Sequence, residues 1–353
     1  MTCRPFAIRL LPVLILFPVA VLAPGCTQNP NPTAERTWQT VFRELPSGLL
    51  SVSGTSPQDV YTVGTDSGDG LGPVLMHYNG SEWRRLNTGT TGDLWWITAV
   101  PIDGVFYLSG ESGMILRFDP QIQSIEPQNT PSTETIFGVW GSASDNIWAV
   151  GGLLTDQQFG GTIWHFDGTS WLIQDLSQQF PDGFATVFKI WGRSPNEVYA
   201  VGAAGLILRF DGVAWTLVDD GTTRNATLFS VYGNEDTVVA VGGFNSAVII
   251  EQRDDIFMDR ATPETIQMNG VFVTTGGVGA AVGRELNVAF WTANGWEVAQ
   301  DTGLPIDLDF HANWIDSESG LWAAGGVLIG DPINRGTLVY FGPQTVSSVV
   351  VEP

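Results

Sequence analysis

The chain has 353 residues, 43 % of them apolar and 15 % charged, with 42 glycines, 14 tryptophans and a single lysine, Lys189. Its formal charge of −22 excludes a nucleic-acid-binding surface, because phosphate backbones are held mainly through Lys and Arg. High glycine with low charge points to short strands and tight turns rather than disorder, and the two cysteines, Cys3 and Cys26, make neither a metal-type pair nor a disulfide framework.

The first segment, MTCRPFAIRLLPVLILFPVAVLAPGC, places Arg4 and Arg9 before an apolar run from Leu10 to Pro24. That run is shorter than a membrane span and is interrupted by Pro12 and Pro18. Residues 1–25 therefore read as a secretory signal peptide. The ending LAPGC resembles a bacterial lipobox, which implies lipidation of Cys26 as the first mature residue. It departs from the usual pattern because Leu22 lies four residues before Cys26 and Pro24 intervenes. The alternative is ordinary signal cleavage and secretion. Residues 26–36 are polar and proline-containing, as expected of a flexible tether that buries too little apolar surface to fold. Thr27, rather than Asp, follows the cysteine. By resemblance to Gram-negative sorting rules, this favours the outer membrane over the inner one.

From residue 37 onward one unit recurs. Its clearest copies are VSGTSPQDVYTVG, VWGSASDNIWAVG and IWGRSPNEVYAVG, each closing on a glycine. Taking that glycine as anchor gives Gly64, Gly110, Gly151, Gly202, Gly242, Gly283 and Gly325, with spacings of 46, 41, 51, 40, 41 and 42 residues. Such a period matches four-stranded propeller repeats of roughly 40–50 residues. Each unit predicts a first strand such as FGVW (137–140), a polar turn GSASDN (141–146) and an almost wholly apolar second strand IWAVG (147–151). A third strand ends in LMHYNG, ILRFDP, IWHFDG or LILRFDG. Its Asn-Gly or Asp-Gly pair is a strong hairpin signal. Trp83, Trp171, Trp215 and Trp296 then open the fourth strand.

These features predict an all-β chain: a seven-bladed β-propeller of four-stranded antiparallel blades over residues 37–353. Trp38 occupies the position that Trp83 and Trp215 hold in their units. The N-terminal strand is thus expected to complete the last blade, which removes an exposed sheet edge. The rival for that role is the C-terminal TVSSVVVEP.

The run WG-S-x-x-x-[DE]-[IV]-[WY]-A-V-G followed by RFDG-x-x-W resembles the repeats of bacterial secreted propellers. These are the BNR/Asp-box, photosystem II assembly-factor-like and WD40/YVTN-like superfamily. The resemblance covers roughly residues 38–343 and implies the fold more than any activity. The Asp-box spacing S-x-D-x-G-x-[ST]-W is shortened here to D-G-x-x-W, as at Asp167–Trp171.

No catalytic set stands out. Arg117 and Arg209 share a third-strand slot with His77 and His165. Equivalent positions on successive blades diverge, so these residues read as solvated strand positions rather than a sialidase-like arginine cluster. His311 stands alone, and a copper-radical site would need a cysteine that the mature chain lacks. No cofactor is expected. Calcium needs only oxygens, and Asp66 with Asp69, or Asp301 with Asp307 and Asp309, could supply them, although solvated acidic loops explain both groups.

What differs between units is loop length. Long connections follow the second strand at residues 64–73, 151–161 and 325–336, and a long inter-blade link spans 175–184. Both connection types reach the same propeller face, where a rigid scaffold presents its function. Asp66, Asp69, Asp156 and Asp331 are the candidate contacts there. Trp96 joins them because strand alternation lets only one ring of the Trp95–Trp96 doublet face one way. The expected function is a monomeric, non-catalytic, envelope-anchored binding or scaffold module for a protein or glycan, touching the membrane only through its lipid. The alternatives are a polysaccharide hydrolase or lyase using acidic loop residues, and a purely structural surface protein.

Overall fold

The computed structural model describes residues 35–100, 103–155, 158–218, 226–262, 264–299, 302–304, 308–329 and 332–351. The proposed signal peptide, Cys26 and most of the tether lie outside the described residues. Seven antiparallel sheets follow one another around a ring. Blade 3 shows the plan: Thr135–Ala143, Asn146–Gly152, Gly161–Phe166 and Trp171–Ile173 pair in chain order. The predicted turn GSASDN is shorter than expected. Pairing runs as far as Ala143 against Asn146, leaving only Ser144 and Asp145 to turn the chain.

The seventh blade is built from both ends of the chain. Asp309–Ile315, Leu321–Val327 and Asn334–Gly342 are completed by Thr37–Leu45. Trp38 pairs with Phe341, just as Trp83, Trp171, Trp215 and Trp296 pair with Tyr78, Phe166, Phe210 and Trp291. The C-terminus takes another role: Val350–Val351 lies parallel to Trp83–Arg84 as a fifth strand of blade 1. Trp83 anchors it, donating from Nε1 to the Ser347 carbonyl at 2.9 Å.

The anchor glycines have a common physical cause. A Cβ placed on Gly64, Gly110, Gly151, Gly202, Gly242, Gly283 or Gly325 would lie 1.9–2.2 Å from a carbonyl oxygen at the start of the first strand of the same blade, on its first residue or the one before it. The second strand therefore ends in backbone contact that only glycine permits. A second glycine in the repeat serves packing between blades. At Gly192 a Cβ would meet the Trp140 ring at 2.3 Å, and at Gly233 it would meet Trp191 at 2.9 Å. Each Trp-Gly pair thus lays its indole over the glycine of the next blade.

The core consists of wedges between neighbouring blades. One joins Trp148, Val150 and Ile163 of blade 3 to Ile190, Val198 and Trp215 of blade 4. Another closes the ring, joining Trp322 and Tyr340 to Val52, Val60 and Trp83, with Phe42 from the N-terminal strand. Each fully buried aliphatic side chain contributes about 1.5–3 kcal/mol.

The outer hairpins use Asx chemistry. Asp167 Oδ1 accepts from the Thr169 and Ser170 amides, and Asp211 Oδ1 from those of Val213 and Ala214. The following Gly168 and Gly212 have φ of 88° and 93°. This accounts for the D-G-x-x-W spacing as a turn rather than a ligand motif.

Candidate binding site

The third-strand slot is more ordered than a solvated position. His77 stacks on Tyr61 at 4.3 Å, and its Nε2 meets Asp59 Oδ1 at 2.7 Å. His165 lies on Trp148 and meets Asn146 Oδ1 at 2.7 Å, while Arg209 covers Tyr199 and reaches Glu197. Burial raises the Asp59 carboxyl, but hydrogen bonds from His77 and Thr55 outweigh it and leave the pKa below the usual value. These are struts within separate blades, and they do not converge.

The acidic candidates on the long-loop face serve the loops themselves. Asp66 accepts from the Gly68 and Gly92 amides, and Asp93 accepts from the Asp66 amide. Asp69 accepts from the Leu71 amide, which holds its pKa below the ordinary value. Glu111 takes the Asp93 amide, and Asp309 takes that of Glu285. Asp156, Asp331, Asp301 and Asp307 lie outside the described residues. Among the described residues, no group of three or more His, Cys, Asp or Glu could hold a metal ion.

The feature that organises this face was not singled out in the sequence. Each inner strand carries a bulge near its start, where two residues oppose one on the partner. The residues at the bulges are Leu50, Trp95, Phe137, Phe188, Phe229, Asn269 and His311. All but Leu50 line one cavity of about 270 Å³. Their rings form a chain: His311–Trp95 at 5.8 Å, Trp95–Phe137 at 5.2 Å, Phe137–Phe188 at 5.4 Å and Phe188–Phe229 at 6.1 Å. Phe244 continues it at 5.2 Å from Phe229. Loops after the second strands add Leu154, Arg284, Leu328 and Ile329. The cavity therefore opens on the face where the long loops were expected to gather.

Of the tryptophan doublet, Trp95 lines the cavity. Trp96 lies one residue past the bulge, opposite Ser109, and its ring carries the Lys189 Nζ at 3.5 Å from the centroid. Lys189 holds the matching position in blade 4, and Gly138 holds it in blade 3. With no side chain at Gly138, the lysine crosses blade 3 to reach the tryptophan. Nζ also donates to the Phe137 carbonyl at 3.1 Å. Lys189 is 4 % exposed, and burial pulls its pKa well below the ordinary range. His311 donates from Nδ1 to the Leu50 carbonyl. Burial and the nearby Lys189 push its pKa down to about 3, against the favourable hydrogen bond.

The rim is apolar. Leu154, Phe244 and Ile329 are 50 %, 57 % and 82 % exposed, and exposed apolar side chains gathered around one mouth mark interaction surfaces. The inner-strand turns at the opposite end frame a larger space of about 750 Å³ with polar members such as Arg193, Asn234 and Asp316.

No family model matches the chain, and no curated protein matches it. Many solved structures share its fold. The WD40 repeats of RRP9 superpose with a TM-score of 0.65 at 11 % identity, covering 87 % of this chain and 97 % of that one. YCF48 from Cyanidioschyzon merolae gives 0.63 at 10 % identity, covering 88 % and 100 %. A YCF48 structure with a bound D1 peptide gives 0.52 at 15 % identity, covering 67 % and 76 %. At these identities the likeness shows the propeller fold alone.

Proposed function

We propose that this protein is a non-catalytic binding module of the bacterial envelope that takes a partner protein across its long-loop face. The observation that carries this reading is the aromatic cavity at the channel mouth with its exposed apolar rim. A rigid ring of sheets holds those side chains in place, so little ordering entropy is lost on binding. The fold likeness to a propeller solved with a peptide adds support. The loop carboxylates favour this reading over a hydrolase, since Asp66, Asp69 and Asp309 are engaged by backbone amides. Lipidation of Cys26 and retention at the outer membrane complete the proposal. They rest on the basic start, the apolar run and the LAPGC ending.

A photo-crosslinking residue placed in the full chain tests the face. At Ile329, on the rim, discrete protein adducts are expected in cells. At Val213, which is 89 % exposed on an outer turn of blade 4, none are expected. Equal labelling at both positions, or adducts to glycan alone, would overturn the reading. Anchoring is checked separately: Cys26→Ser should release the protein from the membrane fraction, and the wild-type N-terminus should carry acyl mass.

A further inference from the structure

We propose that the channel-mouth cavity binds a carboxylate carried on an apolar group, with the carboxylate facing Lys189 and the apolar group lying against the aromatic ring. This deepens the binding reading above and rests on it. Four observations meet at one place. Lys189 is the only lysine of a strongly acidic chain, yet it lines an apolar cavity on the channel axis. Among the described residues it forms no ion pair, and its ammonium has one carbonyl acceptor and one ring for three N–H donors. The other cation at the mouth, Arg284, is already met by Glu285 at 3.6 Å. The buried indole Nε1 of Trp95, in the same wall, also lacks an acceptor.

Unsatisfied buried donors are costly, and what is missing here is an anionic acceptor. Burial disfavours the charged lysine, and a ligand carboxylate would supply the counter-charge that restores it. Phe137, Phe188 and Phe229 offer apolar surface for the carrier of the anion, while Gln267, Asn269, Asp309 and His311 add polar groups to the same lining; Asp309 is already engaged by the Glu285 amide. The cavity volume suits one aromatic or branched aliphatic group with its carboxylate. Both a free aryl carboxylic acid and the C-terminal residue of a peptide have that chemistry.

The single lysine makes the test direct. Full-length protein labelled with 13C,15N-lysine gives one side-chain signal. Two acid and amide pairs serve as probes: 3-phenylpropionate with 3-phenylpropionamide, and acetyl-Gly-Gly-Phe with its C-terminal amide. At least one acid is expected to shift the Lys189 signal toward the protonated ammonium and to bind at least tenfold tighter than its amide. The acid that binds tighter identifies the source. Lys189→Met should bring the acid-to-amide ratio close to one. Equal binding of acid and amide to wild type, no shift of the lysine signal, or a preference that survives in Lys189→Met would overturn the proposal. Because crosslinking at Ile329 does not depend on the carboxylate, failure here leaves the partner-binding face to be judged by that experiment.

Discussion

Gly202→Ala is expected to destabilise the propeller by about 1–3 kcal/mol, the usual cost of forcing extra atoms into a filled site. The measurement is the denaturant midpoint of the variant against wild type. The new Cβ would lie 2.1 Å from the Thr186 carbonyl oxygen. That oxygen cannot simply retreat, because it accepts the Ala203 amide at 2.9 Å. Backbone preference is not the cause: Gly202 has φ of −165°, an extended conformation open to any residue. The contact alone is what fails. Gly276→Ala is the control, since its nearest neighbour would be the Thr274 hydroxyl at 3.8 Å, and a change within about 0.5 kcal/mol is expected there. A similar loss at both positions would overturn the carbonyl contact as the cause, because the effect of alanine on the unfolded chain is a small gain in stability.

The same geometry explains why the fold was legible. Each blade must pass the end of its second strand against the carbonyl at the start of its first, so a glycine is demanded once per blade. The repeat period is that demand written into the chain. The tryptophans that open outer strands are equally forced, because Trp83, Trp171, Trp215 and Trp296 each fill a wedge beside the third strand. Position, residue type and cause coincide, and a pattern survives.

The cavity was not legible for the opposite reason. The bulge residues, Leu50 and the cavity-lining Trp95, Phe137, Phe188, Phe229, Asn269 and His311, lie 13–15 residues before each anchor glycine. The offset is almost constant, but the residue type is not, because a channel-facing side chain is chosen for what it meets rather than for the blade. The bulge hides the ring further. Simple alternation says that Trp95 and Trp96 face opposite ways, but the extra residue at the bulge decides which of them reaches the channel. Lys189, read from sequence as a contribution to net charge, gains its meaning only from Gly138, a residue of another blade.

Lowering the pH from 7 to 4.5 is expected to cost the fold about 2–3 kcal/mol through His311, at about 1.4 kcal/mol per pH unit over roughly two units. The sign follows from the two pKa values. Unfolded, the imidazole titrates at the ordinary 6.5; folded, burial and then the Lys189 charge push it down to about 3. Between those values the unfolded chain binds a proton that the folded chain refuses. Stability is therefore complete above pH 6.5, falls as the pH drops through the window, and stops falling on this account near pH 3. Water entering the cavity would screen the charge and reduce the effect. His165, whose pKa burial also lowers, adds a slope of the same sign, so the variant and not the bare pH profile makes the assignment. His311→Asn keeps a donor for the Leu50 carbonyl and cannot titrate. Asn269 fills the equivalent bulge of blade 6, so the channel already accommodates that side chain. Unfolding midpoints at pH 7 and 4.5 should lie closer together in the variant than in wild type by most of the 2–3 kcal/mol. An unchanged difference would show that the protonated ring is tolerated beside Lys189, and the acid sensitivity would then belong to other groups.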